Sequence, residues 1–342
     1  MTGIPFNFWR ITLDTNPEDC NLHCIMCEEH SLYSNFIPTL QAKTGVKRRL
    51  MPIEWVEKAM KESKELGVKE VIPSTMGEPL LYESIEKIVE LCREYGLLLN
   101  LTTNGTFPRK SIEEWAKIFI PVLSDIKVSW NGATHETAQK IMIGLDFNKT
   151  LEKLKTFILI RNEYYRLTCH YARISFQTTF MQNNIHELAD MVKLAAQLGV
   201  DRIKGHHVWM HFDEIKHLSC KNNPGLWNKC VKEAYSAQNN YLKPDGSKVI
   251  LENIIPLEIK GEQEVPEYYE CPFLNKELWI SATGQISPCC APDEQRKTLG
   301  DFGNIRNTTL EQVLNSPQYQ NLVNDYKARA ICKICNMRKP KL

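Results

Sequence analysis

The 342-residue chain has no apolar run approaching the roughly 20 residues needed to cross a bilayer. Residues 1–7 lack a basic segment followed by an apolar one, so nothing there marks the chain for secretion. No sign of charge dominates: 42 Lys and Arg against 41 Asp and Glu leave a formal charge of +1, which removes the case for nucleic acid and for an acidic tail. Internal repeats and low-complexity tracts are missing too, setting aside solenoid and fibrous architectures. The remaining composition, 43% hydrophobic and 24% charged, is that of a globule with room for one large α/β domain and a smaller one. Against it stand twelve cysteines. Without a secretion signal they are expected to be reduced thiols of a cytoplasmic protein, serving metal rather than a disulfide framework.

Strand and helix patterns alternate along most of the chain, as in successive βα units on a parallel sheet. Strands are expected at residues 9–15, 70–75, 97–103, 124–130, 172–180 and 202–209. Helices are expected at 51–66, 84–95, 110–119, 149–164, 185–198 and 227–239, with helical sequence also from His135 onwards. Residues 28–50 read as a long loop with a basic run, Lys47-Arg48-Arg49. Six units are too few for a closed eight-stranded barrel, and an open (β/α)6 arrangement is the natural reading. Ligands of parallel sheets bind at the carboxyl ends of strands. From Leu242 to Tyr269 the prolines and glycines break any helical period. That divides the chain into a main domain (1–241), a connection (242–269) and a second module (270–342).

Directly after the first strand comes Cys20-Asn21-Leu22-His23-Cys24-Ile25-Met26-Cys27, three thiols at Cys-x3-Cys-x2-Cys spacing. A tetrahedral zinc or an ordinary [4Fe–4S] site takes four protein ligands. Three thiolates can hold three irons of a cubane and leave the fourth open to a ligand that is not protein. This stretch resembles the radical S-adenosylmethionine (radical SAM) enzymes, whose open iron is chelated by the amino and carboxylate groups of SAM. The resemblance implies a partial (β/α)6 TIM-like barrel and a SAM-binding [4Fe–4S] cluster on Cys20, Cys24 and Cys27.

Further positions match the same family. Met76-Gly77-Glu78-Pro79 follows the second strand where relatives carry Gly-Gly-Glu for the SAM amino group; Met76 replaces the first glycine. Gly77 permits close backbone approach, and Glu78 could hydrogen-bond an ammonium group. Thr103 and Asn104 look like the family's polar turn after the third strand, although Asn104-Gly105 is also a common turn pair. Ser129 matches a serine at the fourth strand end, while Asn131 stands where an aspartate is usual. On the fifth strand, alternation sets Arg173, Ser175 and Gln177 on one face, with Ser175 or Gln177 reaching SAM. Met26 would place its backbone against the adenine.

The second module has Cys271-x12-Gly284-x4-Cys289 and a late Cys332-x2-Cys335 pair. A hairpin is expected at 278–281 and 285–287, and one helix at 309–329. The pattern resembles the Twitch form of the SPASM domain, an α+β module holding an auxiliary [4Fe–4S] cluster on four cysteines. Structural zinc on the same four thiolates is the competing reading, and Cys290 could compete with Cys289 for ligation.

Cys92 reads as core and Cys169 has no assigned role; Cys220 and Cys230 are candidate hydrogen-atom donors, no catalytic residue being otherwise assigned. Alternation turns His207 and Trp209 one way and His206 the other, with His211 beyond. Glu28, Glu29 and His30 read as a solvated loop start. Together these features imply reductive cleavage of SAM and hydrogen abstraction from a small polar metabolite such as a sugar, aminocyclitol or nucleoside. A net oxidation is the expected outcome, with a flavodoxin or ferredoxin as reducing partner. The first strand begins within about ten residues of Met1, so no appended leader-peptide-binding domain is expected. The alternatives are a peptide-modifying radical SAM enzyme, an epimerase with a cysteine donor, and a zinc-stabilised binding protein.

Overall fold

The computed structural model describes residues 8–74, 76–257, 265–291, 293–335 and 337–340. Residues alternating between apolar and polar build β1 (Arg10–Leu13), β2 (Glu70–Ile72), β3 (Leu98–Thr103), β4 (Leu123–Ser129), β5 (Arg173–Phe180) and β6 (Arg202–His207). The expected strands thus form, shorter at their ends, and Thr75 lies outside the described residues. One face of each strand carries Ile11, Val71, Leu101, Val128, Phe176 and Ile203, at most 1% exposed beneath the helices. Their burial is the main force holding sheet to helices, at about 25 cal/mol per Å² of apolar surface.

Neighbouring strands β1 to β6 pair parallel in sequence order, the curled sheet of a partial barrel. Between them run α2 (Ile53–Glu65), α3 (Ile85–Tyr95), α4 (Ile112–Phe119), α5 (His135–Ile141), α6 (Phe147–Thr168) and α7 (Leu188–Leu198), preceded by α1 (Phe36–Thr44) and followed by α8 (Pro224–Asn240). Their ends carry the expected signals, such as the Ser111–Glu114 capping box of α4 and left-handed Gly96 after α3. No helix among the described residues is long and apolar enough to cross a membrane.

Three elements differ from the expectation. Residues 28–50 contain α1, which buries no residue of its own and so has no apolar stripe to betray it. The connection contains β7 (Ile250–Glu252), parallel to β6 and only three residues long; residues 258–264 lie outside the described ones. The single helix expected at 309–329 is α9 (Leu310–Leu314) and α10 (Pro317–Asp325) with a turn beyond. Pro317 disfavours helix at Ser316, whose hydroxyl instead caps the new helix through Tyr319 N–H.

The hairpin forms as β8 (Glu277–Ile280) and β9 (Ile286–Ser287), antiparallel to each other. Strand β8 also pairs parallel with β1, Arg10 opposite Glu277. The sheet therefore continues from the barrel into the second module.

Candidate active site

The loop after β1 is pinned on several sides. His23–Cys24 pairs antiparallel with Met142–Ile143, and Ile25 N–H donates to Ile141 O at 2.9 Å. Asn16 Nδ2 donates to Glu78 O at 3.0 Å, and Glu78 N–H to Asp19 O at 2.6 Å. Gly77, at φ +73°, lies so close that a Cβ would meet Asn16 O at 2.3 Å and Asp19 O at 2.8 Å. Glycine is required there by the approach of two backbones.

This pinning gathers Cys20, Cys24 and Cys27, each half-buried and near enough for their charged forms to repel. Burial raises all three thiols, Cys27 to about 11, with Cys20 adding repulsion. Positive metal would remove that penalty, since it binds thiolate. His30 N–H donates to Cys27 Sγ at 3.4 Å, and Asn104 Nδ2 approaches Cys20 Sγ at 3.9 Å. Among the described residues no three His, Cys, Asp or Glu side chains converge on one point. The fit to an iron–sulfur cluster rests on the donor chemistry and the surrounding N–H groups.

Glu78 is fully buried. One carboxylate oxygen accepts from Thr103 Oγ1 at 2.8 Å and Leu80 N–H at 3.2 Å, the other from Asn104 N–H at 2.7 Å. Burial lifts its pKa to about 7 although those donors pull it down. The carboxylate is thus turned onto the turn after β3, which it orients. Asn104 in turn donates to Asn21 Oδ1 at 2.8 Å, beside Cys20. Sequence reasoning found these residues but not their mutual ties.

Met26, Ser129 and Gln177 are half-buried, the last two opposite each other on β4 and β5. Ser175 does not reach the strand ends: it is sealed, donating to Asp125 Oδ1 at 2.8 Å and accepting from Arg202 Nε at 3.1 Å. Arg173 lies at the exposed start of β5. Asn131 is spent joining β4 to β5, its Oδ1 accepting from Thr179 N–H at 2.9 Å. Cys220 and Cys230, the expected donors, are 0% and 3% exposed within the hydrophobic core around α8. That burial argues against a donor role for either.

Glu28, Glu29 and His30 are not a solvated loop start. Glu29 is buried against Arg49, which also holds Glu18 at 2.8 Å; His30 Nε2 meets Pro17 O at 2.7 Å; Glu28 lies 3.7 Å from His211. Arg48 grips Asp19 at 2.7 Å. The basic run is therefore a clamp around the cysteine loop. His207 stands edge-on to Trp227 at 4.6 Å between centroids, away from the concave face, and His206 is on the other side as alternation requires.

In the second module Cys271, Cys289, Cys332 and Cys335 share one neighbourhood, the charges of Cys335, Cys271 and Cys332 all acting on Cys289. Backbone N–H groups donate to three sulfurs at 3.4 Å: Leu274 to Cys271, Ala291 to Cys289 and Met337 to Cys335. Four thiols so arranged fit a fully protein-ligated cluster. Buried Arg338 ties the late pair to residues 266–269 through four carbonyls, among them Cys332 O at 3.1 Å. Cys290 is half-buried beside this group, near enough to feel its charges and that of Glu277 on β8, whose carboxylate accepts from Arg10, so the module borders the barrel's concave face.

Residues 17–160 match the model of the radical SAM superfamily, and residues 271–336 that of the iron-sulfur cluster-binding domain SPASM. The chain is a radical SAM superfamily member with a SPASM-type auxiliary iron–sulfur module. Its cofactors are SAM with a [4Fe–4S] cluster in the barrel and an auxiliary cluster in the module.

It is 32% identical over 140 residues to a GTP 3′,8-cyclase of Aquifex aeolicus, covering 40% of this chain and 39% of that one. A probable GTP 3′,8-cyclase of Thermococcus kodakarensis is 27% identical over 199 residues, covering 58% and 55%. The matches span well under two thirds of these relatives. Among solved structures, Streptococcus suis SuiB bound to precursor peptide SuiA superposes with TM-score 0.67 at 17% identity, over 96% of this chain and 71% of that one. The anSMEcpe structure with bound AdoMet gives 0.65 at 18%, over 96% and 88%. These likenesses establish the fold.

Proposed function

We propose that the chain removes a hydrogen atom from a C–H bond of a small polar metabolite, with a net oxidation. The observation that carries this reading is a triple-thiol loop at the strand ends, above a concave face lined by charged side chains. When bound, the cluster and SAM supply a 5′-deoxyadenosyl radical through one-electron reduction of the sulfonium. Cys20, Cys24 and Cys27 would hold that cluster. Gly77, Thr103, Asn104, Ser129 and Gln177, with the Met26 backbone, would border SAM, and Glu78 would fix the turn carrying Thr103 and Asn104. Asn131 and Ser175 have structural partners that account for them.

The strand ends and the clamp over them would exclude water from the reacting carbon and hold it in place. Cys271, Cys289, Cys332 and Cys335 would hold the auxiliary cluster. An electron-accepting site beside the same face supports the net oxidation. A flavodoxin or ferredoxin would be the reductant, and the working parts would be the main domain (1–241), the connection (242–269) and the auxiliary module (270–342). The cyclase relatives, named for a nucleotide, support the metabolite class. The precursor peptide bound to SuiB supports the other reading, a peptide substrate.

The test is isotopic. Holoenzyme, SAM and dithionite are incubated anaerobically with extracts of cells grown in heavy water, separated into small-metabolite and peptide fractions. Deuterium entering 5′-deoxyadenosine from the small-metabolite fraction is expected. Transfer only from the peptide fraction would overturn the metabolite reading.

A further inference from the structure

The concave face of the barrel has two levels. At the bottom the side chains are closed on one another. Arg10 Nε donates to Glu277 at 2.7 Å and Thr12 also bonds that carboxylate; Asn100 Nδ2 reaches Glu70 at 3.0 Å. Arg202 spans Asp125 and, at 2.7 Å, Glu252, which also takes Lys204 at 3.0 Å. Asp125, Ser175 and Glu277 are at most 3% exposed, so this level is filled. Toward the strand ends Ser129, Gln177, Thr179, Lys204 and His206 are half-buried, although all face the interior of the curl. The upper level is open.

Lys127 sits between the two, opposite Thr102 on β3 and Ser175 on β5. The residue is 8% exposed. Among the described residues it makes no hydrogen bond and no ion pair. Arg10, Lys204 and Glu277 act on it from across the curl and Asp125 from two residues earlier on its own strand, with the two cations outweighing the two carboxylates. Each of those carboxylates is already held by an arginine. Burial and the two like charges bring the ammonium down to about 7, a cost that an anionic partner would reverse.

We infer that Lys127 anchors an oxyanion, carboxylate or phosphate, of the small substrate; this rests on the metabolite reading above. Lys127 lies two residues before Ser129, about 7 Å deeper along the strand. A substrate held there by its anionic end would extend its remaining carbons toward the cysteine loop. One unpaired ammonium suits one anionic group rather than a polyphosphate tail.

The test needs neither the substrate nor a variant. Holoenzyme with SAM is trace-methylated with deuterated formaldehyde and a borane reductant, and each lysine's rate is read by peptide mass spectrometry. Rates are taken alone and with acetate, inorganic phosphate or neutral acetamide. Lys127 should be modified without additive and slowed by an anion, about threefold at twice its dissociation constant, while exposed Lys229 and acetamide samples stay unchanged. Stronger protection by acetate assigns a carboxylate, and by phosphate a phosphoryl group. Failure of both anions to protect, or a Lys127 unmodified throughout, overturns the inference. Dithionite is then added anaerobically to the same sample and 5′-deoxyadenosine is measured: product without protection removes the anchor alone, and no product removes the reading beneath it.

Discussion

A methyl group on residue 77 would fall 2.3 Å from one carbonyl and 2.8 Å from another, in a backbone region that side chains rarely adopt. Gly77→Ala should therefore cost about 1–3 kcal/mol and loosen the loop that carries Cys20. Lower melting temperature and lower iron content after reconstitution are expected; both unchanged would contradict the close approach. The Gly77-Glu78 pair was legible in the sequence, but its work was not. Glu78 looked like a ligand for an ammonium group, and in the structure it accepts from Thr103, Asn104 and Leu80. Only folding brings residues 16–19, 78 and 103–104 into one knot, and no local pattern encodes that. Lys127 was missed for the same reason: an isolated lysine in a strand shows nothing of whether a carboxylate waits across the sheet.

The loop 28–50 closes over the cysteines through Arg49, which is buried between Glu18 and Glu29. Removing one partner of a buried ion pair leaves uncompensated charge, so Arg49→Met should cost about 3–5 kcal/mol. The loss should be local, seen as faster proteolysis within 28–50 and faster loss of iron in air. Wild-type protease resistance would show the clamp to be unimportant. The strands and most helices were legible because each outer face is apolar at period 2 or 3.6. Helix α1 was not, since it buries no side chain, and β7 was too short for alternation to speak. In the long C-terminal segment the apolar period overrode the Ser316-Pro317 signal.

Across the whole molecule, one sheet runs from β9 through β8 and β1 to β7, so barrel and module share a hydrogen-bonded frame. The concentration of buried groups in that frame makes stability depend on pH. His207 is packed against Phe180 and Trp227 with Nδ1 unpartnered, and burial lowers its pKa from 6.5 to about 4. Between those values the unfolded chain binds the extra proton. Its contribution is thus complete above about pH 6.5 and lost as pH falls toward 4, at about 1.4 kcal/mol for each pH unit crossed. His207→Phe should leave stability at pH 7 close to wild type and reduce its loss by pH 5 in urea unfolding. An equal loss in both proteins would contradict this origin.

The family assignment gives the SAM cluster to one loop and the auxiliary cluster to another, and a single assay separates them. Anaerobically reconstituted wild-type protein, given SAM and dithionite, should form 5′-deoxyadenosine. The Cys20→Ala/Cys24→Ala/Cys27→Ala variant should form none while retaining about half the iron, the share of one of two [4Fe–4S] clusters. Product from that variant, or none from fully loaded wild-type protein, would contradict the account.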